Sequence, residues 1–179
     1  MLSKHFPLIN IALAGLLFAG SAFAFAGKLP RPLADVSLDT PGAKRIRLAA
    51  TKSKGRVIAI LSSECEHCVG TVITLSKLER QFRARGVQFF GAVVDEGAAQ
   101  ALPAFLAKTK PSFPVGTLSQ DNTRRLADFG MADHPFVPIV MFVDANNIVR
   151  YQFEGNQGVF TNNTENTFRN MLEVLLKTK

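Results

Sequence analysis

Tryptophan is absent from the 179 residues, tyrosine occurs once, at Tyr151, and cysteine only twice. Each shortage excludes something. With one cysteine pair there is no second pair to complete a structural zinc site. No run of lysine and arginine is interleaved with aromatic residues, so no stripe for nucleic acid is present although the formal net charge is +7. The 21 Lys and Arg are spread along the chain and read as a solvated, mildly basic surface. Internal repeats and low-complexity tracts are missing as well, and nothing argues for a second folded domain. Charged residues make up only 20% and apolar ones 47%, which excludes a disordered chain and gives a single domain a real core to bury.

The two cysteines stand together in Glu64-Cys65-Glu66-His67-Cys68. Before them runs Val57-Ile58-Ala59-Ile60-Leu61, continuous and apolar as in a buried central strand. After them Val69, Val72, Ile73, Leu75, Leu78 and Phe82 recur at helical spacing, with Arg85-Gly86 as a basic last turn and a stop. Cys65 and Cys68 therefore lie one turn apart at the start of a helix. A disulfide closing so small a ring removes little entropy from the unfolded chain, so chemistry explains the pair better than stapling. Helix amides and dipole favour a thiolate on Cys65, the expected nucleophile, while Cys68, a turn deeper, is the expected resolving thiol. Glu64 and Glu66 disfavour that anion and a protonated His67 favours it, so these three are the expected tuning residues.

The rest of the chain is organised around this point. Residues 1–26 read as an export signal: Lys4, an apolar stretch over 8–19, and small-x-small sites at Ala22-Phe23-Ala24 and Ala24-Phe25-Ala26. The competing reading is an uncleaved membrane anchor; either way the domain, residues 27–179, faces an oxidising compartment. Pro30 and Pro32 forbid early helix, and Val36 and Leu38 lead through the turn residues Asp39-Thr40-Pro41-Gly42 into a short partner strand continued by Ile46 and Leu48. A second buried strand is expected over 87–94, ending at Asp95-Glu96, then a helix over 98–108 with Pro103 in its first turn or splitting it. A short strand over 113–118, a capped helix over 121–129 and a hairpin of 139–143 with 148–153 follow. Phe168, Met171, Leu172 and Leu175 close the chain as an amphipathic helix behind Asn162 and Glu165 as a capping pair.

That order of elements, a strand leading into Cys-x-x-Cys on a helix and a Val-Pro before a closing hairpin and helix, resembles the thioredoxin-fold proteins of the exported TlpA/ResA-like thiol-disulfide oxidoreductase group. The resemblance covers roughly residues 32–176. It implies an α/β fold with a central mixed sheet flanked by helices, an N-terminal β-hairpin and an inserted helix-strand unit. It also implies that Pro138, preceded by Val137, is cis and faces the cysteines, where the backbone of Val137 can pair with an extended substrate segment. The chain departs from the group in lacking the Trp-Cys approach and the Cys-Pro-x-Cys motif. It also lacks a carboxylate in the strand beneath the motif, which leaves Glu64 and Asp95 as candidates to accept the Cys68 proton.

The expected activity is reduction of disulfides in periplasmic proteins, with no cofactor and no metal, and with recycling by a membrane thiol reductant. Alternatives stay open. A histidine before Cys68 and a Val before the proline resemble the oxidant DsbA, although no helical insertion of that protein is evident between Cys68 and Pro138. Two thiolates with His67 or His134 suggest a copper-binding thioredoxin-fold chaperone, although the spacing is one residue short. A peroxiredoxin-like peroxidase would want a proline where Ile58 stands. Val69 after Cys68 excludes haem attachment.

Overall fold

Seven consecutive residues without a charge at their centre make the strand on which the fold is hung. The computed structural model describes residues 28–42 and 45–177, so the expected signal over 1–26 lies outside the described residues. In it the central strand β4 runs over Gly55–Leu61 and is buried throughout, after three two-residue strands, β1 (Arg31–Pro32), β2 (Ser37–Leu38) and β3 (Ile46–Arg47). Helix α1 (Glu66–Phe82) leads back to β5 (Val87–Val93), which lies parallel to β4. Gly86 makes the turn at φ +88°, a left-handed conformation that glycine adopts without a Cβ penalty. Helix α2 (Ala98–Thr109), strand β6 (Val115–Thr117) and helix α3 (Gln120–Ala127) form the inserted unit; β7 (Ile139–Asp144), β8 (Ile148–Phe153) and α4 (Thr164–Lys177) close the chain.

The main sheet has the order β1-β8-β7-β4-β5-β6, with β5 and β6 parallel to β4 and β7 antiparallel to it, which makes it mixed. Side chains alternate across it. Val57, Ala59 and Leu61 face α1, α2 and α4 in one core with Phe142 and Phe168, whereas Ile58 and Ile60 face α3 and the β2–β3 hairpin in another with Met141 and Leu126. The expected fold class is thus the observed one.

Four local expectations shift. Arg31–Pro32, expected only to be non-helical, pairs with β8 at the sheet edge, a place where proline's missing N–H costs no ladder bond. Pro103 lies inside α2 rather than in its first turn, and the helix runs on, held by burial of Ala98, Leu102 and Phe105. Helix α3 stops at Ala127, with Asp128 left-handed, so Phe129 falls outside it. At α4 the Glu165 carboxylate engages Arg169 and Lys77 rather than forming a capping box with Asn162.

Candidate active site

Where β4 ends, two serines turn the chain into α1, and the turn is held from three sides. Cys65 N donates to Ser62 O at 3.4 Å, Glu64 N donates to Ser62 Oγ at 3.3 Å, and Ser63 N donates to Asp95 Oδ2 at 2.5 Å. Asp95 reaches the turn because β4 and β5 are in register, Leu61 opposite Val93, and because Val94 N continues the ladder to Leu61 O. Cys65 is the N-cap of α1: its sulfur accepts from Cys68 N at 3.2 Å, the position usually served by a hydroxyl or carboxylate oxygen. Both thiols are free, Cys65 half-buried and Cys68 fully buried.

The two sulfurs sit in different surroundings. Burial pushes the Cys68 thiol far above its usual range, and the neighbouring Cys65 sulfur and the Asp95 charge push it further; the Ser62 amide, 3.4 Å from Cys68 Sγ, pulls the other way without prevailing. Cys65 instead faces the loop before β7. Val137-Pro138 is cis, and the Val137 carbonyl lies 3.9 Å from Cys65 Sγ. The structure therefore brings Cys65, Cys68, Val137 and Pro138 to one place at the end of β4.

The three charged neighbours do not converge on the sulfurs. Glu64 and His67 point to solvent, and Glu66, 81% exposed, is paired with Lys108 of α2 at 2.9 Å. His134 is exposed in the loop before Pro138. Among the described residues no group of three His, Cys, Asp or Glu side chains could hold a metal ion, so the copper alternative gains no donor set. Of the two carboxylates named for the Cys68 proton, Asp95 is half-buried and bonded into the turn, and Glu64 is not.

Sequence reasoning missed two features. Gly155, just after β8, donates its N–H to Phe136 O at 2.8 Å, and a Cβ there would stand 2.3 Å from Val137 O and 3.0 Å from Pro138 N. Only glycine lets that backbone pass beneath the proline loop; the one sequence signal was a glycine directly after a strand. The second is a cavity of about 240 Å³ beside Val137, walled by Ile60, Val94, Phe129, Pro135 and Ile139 and, from α3, by the polar Gln120, Thr123 and Arg124. Met131 and Phe136, in the chain between α3 and β7, are 83% and 59% exposed. The sequence offered no signal for the cavity, because its walls come from five separate segments.

The architecture and the paired thiols define a thioredoxin-fold protein. The Redoxin family profile matches residues 27–172, and the chain belongs to that family as a thioredoxin-like oxidoreductase. No curated protein matches the chain. Among solved structures it is similar to a candidate thiol:disulfide interchange protein DsbE from Chlorobium tepidum, at 18% identity and TM-score 0.69 over 82% of this chain and 96% of that one. A thioredoxin-family thiol:disulfide interchange protein from Chlorobium tepidum matches at 18% identity and TM-score 0.68, over 84% and 99%. The thioredoxin domain of a thiol-disulfide oxidoreductase from Bacteroides vulgatus matches at 15% identity and TM-score 0.61, over 78% and 96%. At these identities the likeness is one of fold.

Proposed function

We propose that the chain is exported and reduces disulfides of proteins outside the cytoplasm through Cys65 and Cys68. The observation that carries the reading is the pairing of a half-exposed Cys65 at a helix N-terminus with a fully buried Cys68 one turn below it. The Cys65 thiolate attacks one sulfur of a substrate disulfide; a Cys65-substrate bond forms, the substrate S–S bond breaks, and the leaving sulfur takes up a proton. Cys68 then attacks the Cys65 sulfur, closing the Cys65–Cys68 disulfide and releasing the second substrate thiol. The Cys68 proton passes to Asp95, the carboxylate bonded into the same turn, and from there to the departing substrate sulfur. Two electrons move from the pair to the substrate, and a membrane thiol reductant restores them.

Val137 offers its backbone to an extended substrate segment beside Cys65, and the cavity behind it, part apolar and part lined by Gln120, Thr123 and Arg124, can take a side chain flanking the substrate cysteine. Glu64, Glu66 and His67 act on the couple through charge at the surface. Residues 1–26 serve as the export signal, cleaved after Ala24 or Ala26, and the mature domain begins near residue 27; no described helix is long and apolar enough to cross a membrane.

Single-cysteine variants test the mechanism. Cys68→Ser should accumulate a covalent mixed disulfide with substrate, detected by mass on a non-reducing gel, and Cys65→Ser should lose exchange altogether. Unimpaired exchange by Cys65→Ser would sink the reading. Direction is tested by the reduction potential, expected near or below roughly −250 mV; a value near −120 mV would mark a disulfide donor instead.

A further inference from the structure

Lysines and arginines that lie far apart in sequence meet at one end of the fold. Lys52, Lys54, Arg80, Arg83, Arg85 and Lys177 are all exposed where β4 begins, α1 stops and α4 ends. The end is one surface. Lys54 N donates to Gly86 O at 2.9 Å with its side chain lying along Gly86, Arg85 spans to Glu173 of α4, and Leu175 packs against Gly55. Glu173 feels Arg85 first and Lys177 after it. The carboxylates there, Glu79 and Glu173, are already engaged by Arg83 and Arg85, and Val174, 44% exposed, adds an apolar side chain.

The other end of the sheet carries the opposite sign. Glu64 and Glu66 flank Cys65 in the chain and Asp95 and Glu96 follow β5 at this end, while Lys108 is taken up by Glu66 and Arg124, on the cavity beside Val137, by Asp121. We propose that the basic end docks the protein on an anionic lipid surface and holds Cys65 away from it. Seven strand residues separate the two ends, about 20 Å. A charged plane attracts one end and repels the other, so one field both binds and orients the domain. A row of mobile headgroups suits cations spread over three elements, four of which remain in excess once Arg83 and Arg85 are matched with Glu79 and Glu173, and the exposed valine suits the headgroup boundary. The docking does not require residues 1–26 to be an anchor.

The test is co-sedimentation of the full chain with phosphatidylglycerol/phosphatidylcholine vesicles and with pure phosphatidylcholine vesicles. Three proteins are compared: wild type, Lys52→Glu with Lys54→Glu, and Lys28→Glu with Arg125→Glu. The second pair, beside α3, changes net charge equally but lies away from the basic end. All share residues 1–27, so that stretch drops out of the ratios. The basic-end pair should lower partition onto anionic vesicles by at least about tenfold at low salt, the α3 pair by less than about threefold, and high salt should erase the difference. Alkylation of Cys65 by a water-soluble reagent should stay within about twofold on the bound protein. Equal losses for the two pairs, a collapse of Cys65 alkylation on binding, or tighter binding to duplex DNA than to vesicles at equal phosphate would each overturn the proposal.

Discussion

Two aspartates at opposite ends of the sheet anchor turns by accepting backbone amides, and their surroundings differ. Asp144, at the end of β7, is 3% exposed and accepts three bonds: Oδ1 accepts from Asn146 N and Ile148 N at 2.9 Å each, and Oδ2 accepts from Arg150 Nε at 2.7 Å. Asp95, two residues past β5, is shown with one amide, Ser63 N, and sits beside a buried thiol rather than a cation. A carboxylate held by two amides and a guanidinium keeps its charge more firmly than a free one and is a poor proton acceptor near neutrality. One with spare lone pairs beside a group that must lose a proton is placed for chemistry.

The largest effect should come from breaking the Asp144 end. Asp144→Ala leaves Arg150 and two amides without their acceptor and should cost about 3 kcal/mol of stability in urea denaturation, with thiol exchange in native buffer unchanged. Burial alone would raise the Asp144 carboxyl, but the Ile148 amide, Arg150 and the Asn146 amide together hold it below the ordinary range. A folded pKa below the unfolded one stabilises above the unfolded value, near 4, and that contribution is lost as pH falls through the folded value. Wild-type stability should therefore fall more steeply than that of Asp144→Asn between roughly pH 5 and 2. A parallel decline would mean that Asp144 is not the group titrating.

At the reactive end the next effect comes from backbone placement. Gly155→Ala must move either its own turn after β8 or the Val137 carbonyl that faces Cys65, and substrate exchange measured as kcat/KM should fall up to about a hundredfold. If exchange is normal and only stability drops, the loop is held by other contacts.

How much of this could be read from residues alone follows the same division. The strand 57–61, the helix after Cys68 and the hairpin around residues 144–147 were legible, because uninterrupted apolar runs, 3.6-residue spacing and turn residues are local signals. Cys65 and Cys68 were legible as a pair for the same reason. Asp95 could only be one candidate of two, since its closeness to the Ser62–Ser63 turn depends on strand register, and Gly155 depends on a backbone contact with a segment 17 or more residues earlier. The basic end was read as a scattered surface because the fold, not the sequence, gathers Lys52, Arg85 and Lys177.

Asp95→Asn sharpens the comparison further, because two consequences of losing the carboxylate have opposite signs. Removing its charge relieves part of the pressure on Cys68, so the thiol should titrate lower in the variant, read by pH-dependent alkylation. If that field were all Asp95 supplies, the resolving step would speed up. Loss of a proton acceptor should instead slow release of the second substrate thiol by about tenfold, with stability changed by less than about 1 kcal/mol. An easier thiolate together with a slower attack identifies an acceptor; an easier thiolate with a faster attack removes Asp95 from the mechanism.

The smallest effect belongs to the pair of Glu66 and Lys108. Glu66 stands between the cysteines, yet its carboxylate is 81% exposed and held at 2.9 Å by a lysine that is itself half exposed. Water and salt weaken such a pair, so its influence on the Cys65 anion is a fraction of what burial does to Cys68. Lys108→Met should free the Glu66 charge and slow alkylation of Cys65 at neutral pH by less than about threefold, and Glu66→Gln should quicken it by a similar factor. Both differences should vanish in 1 M salt. A larger change with Lys108→Met that survives high salt would show the lysine acting on the Cys65 sulfur directly rather than through Glu66, and would move the tuning of the couple from the surface into the site.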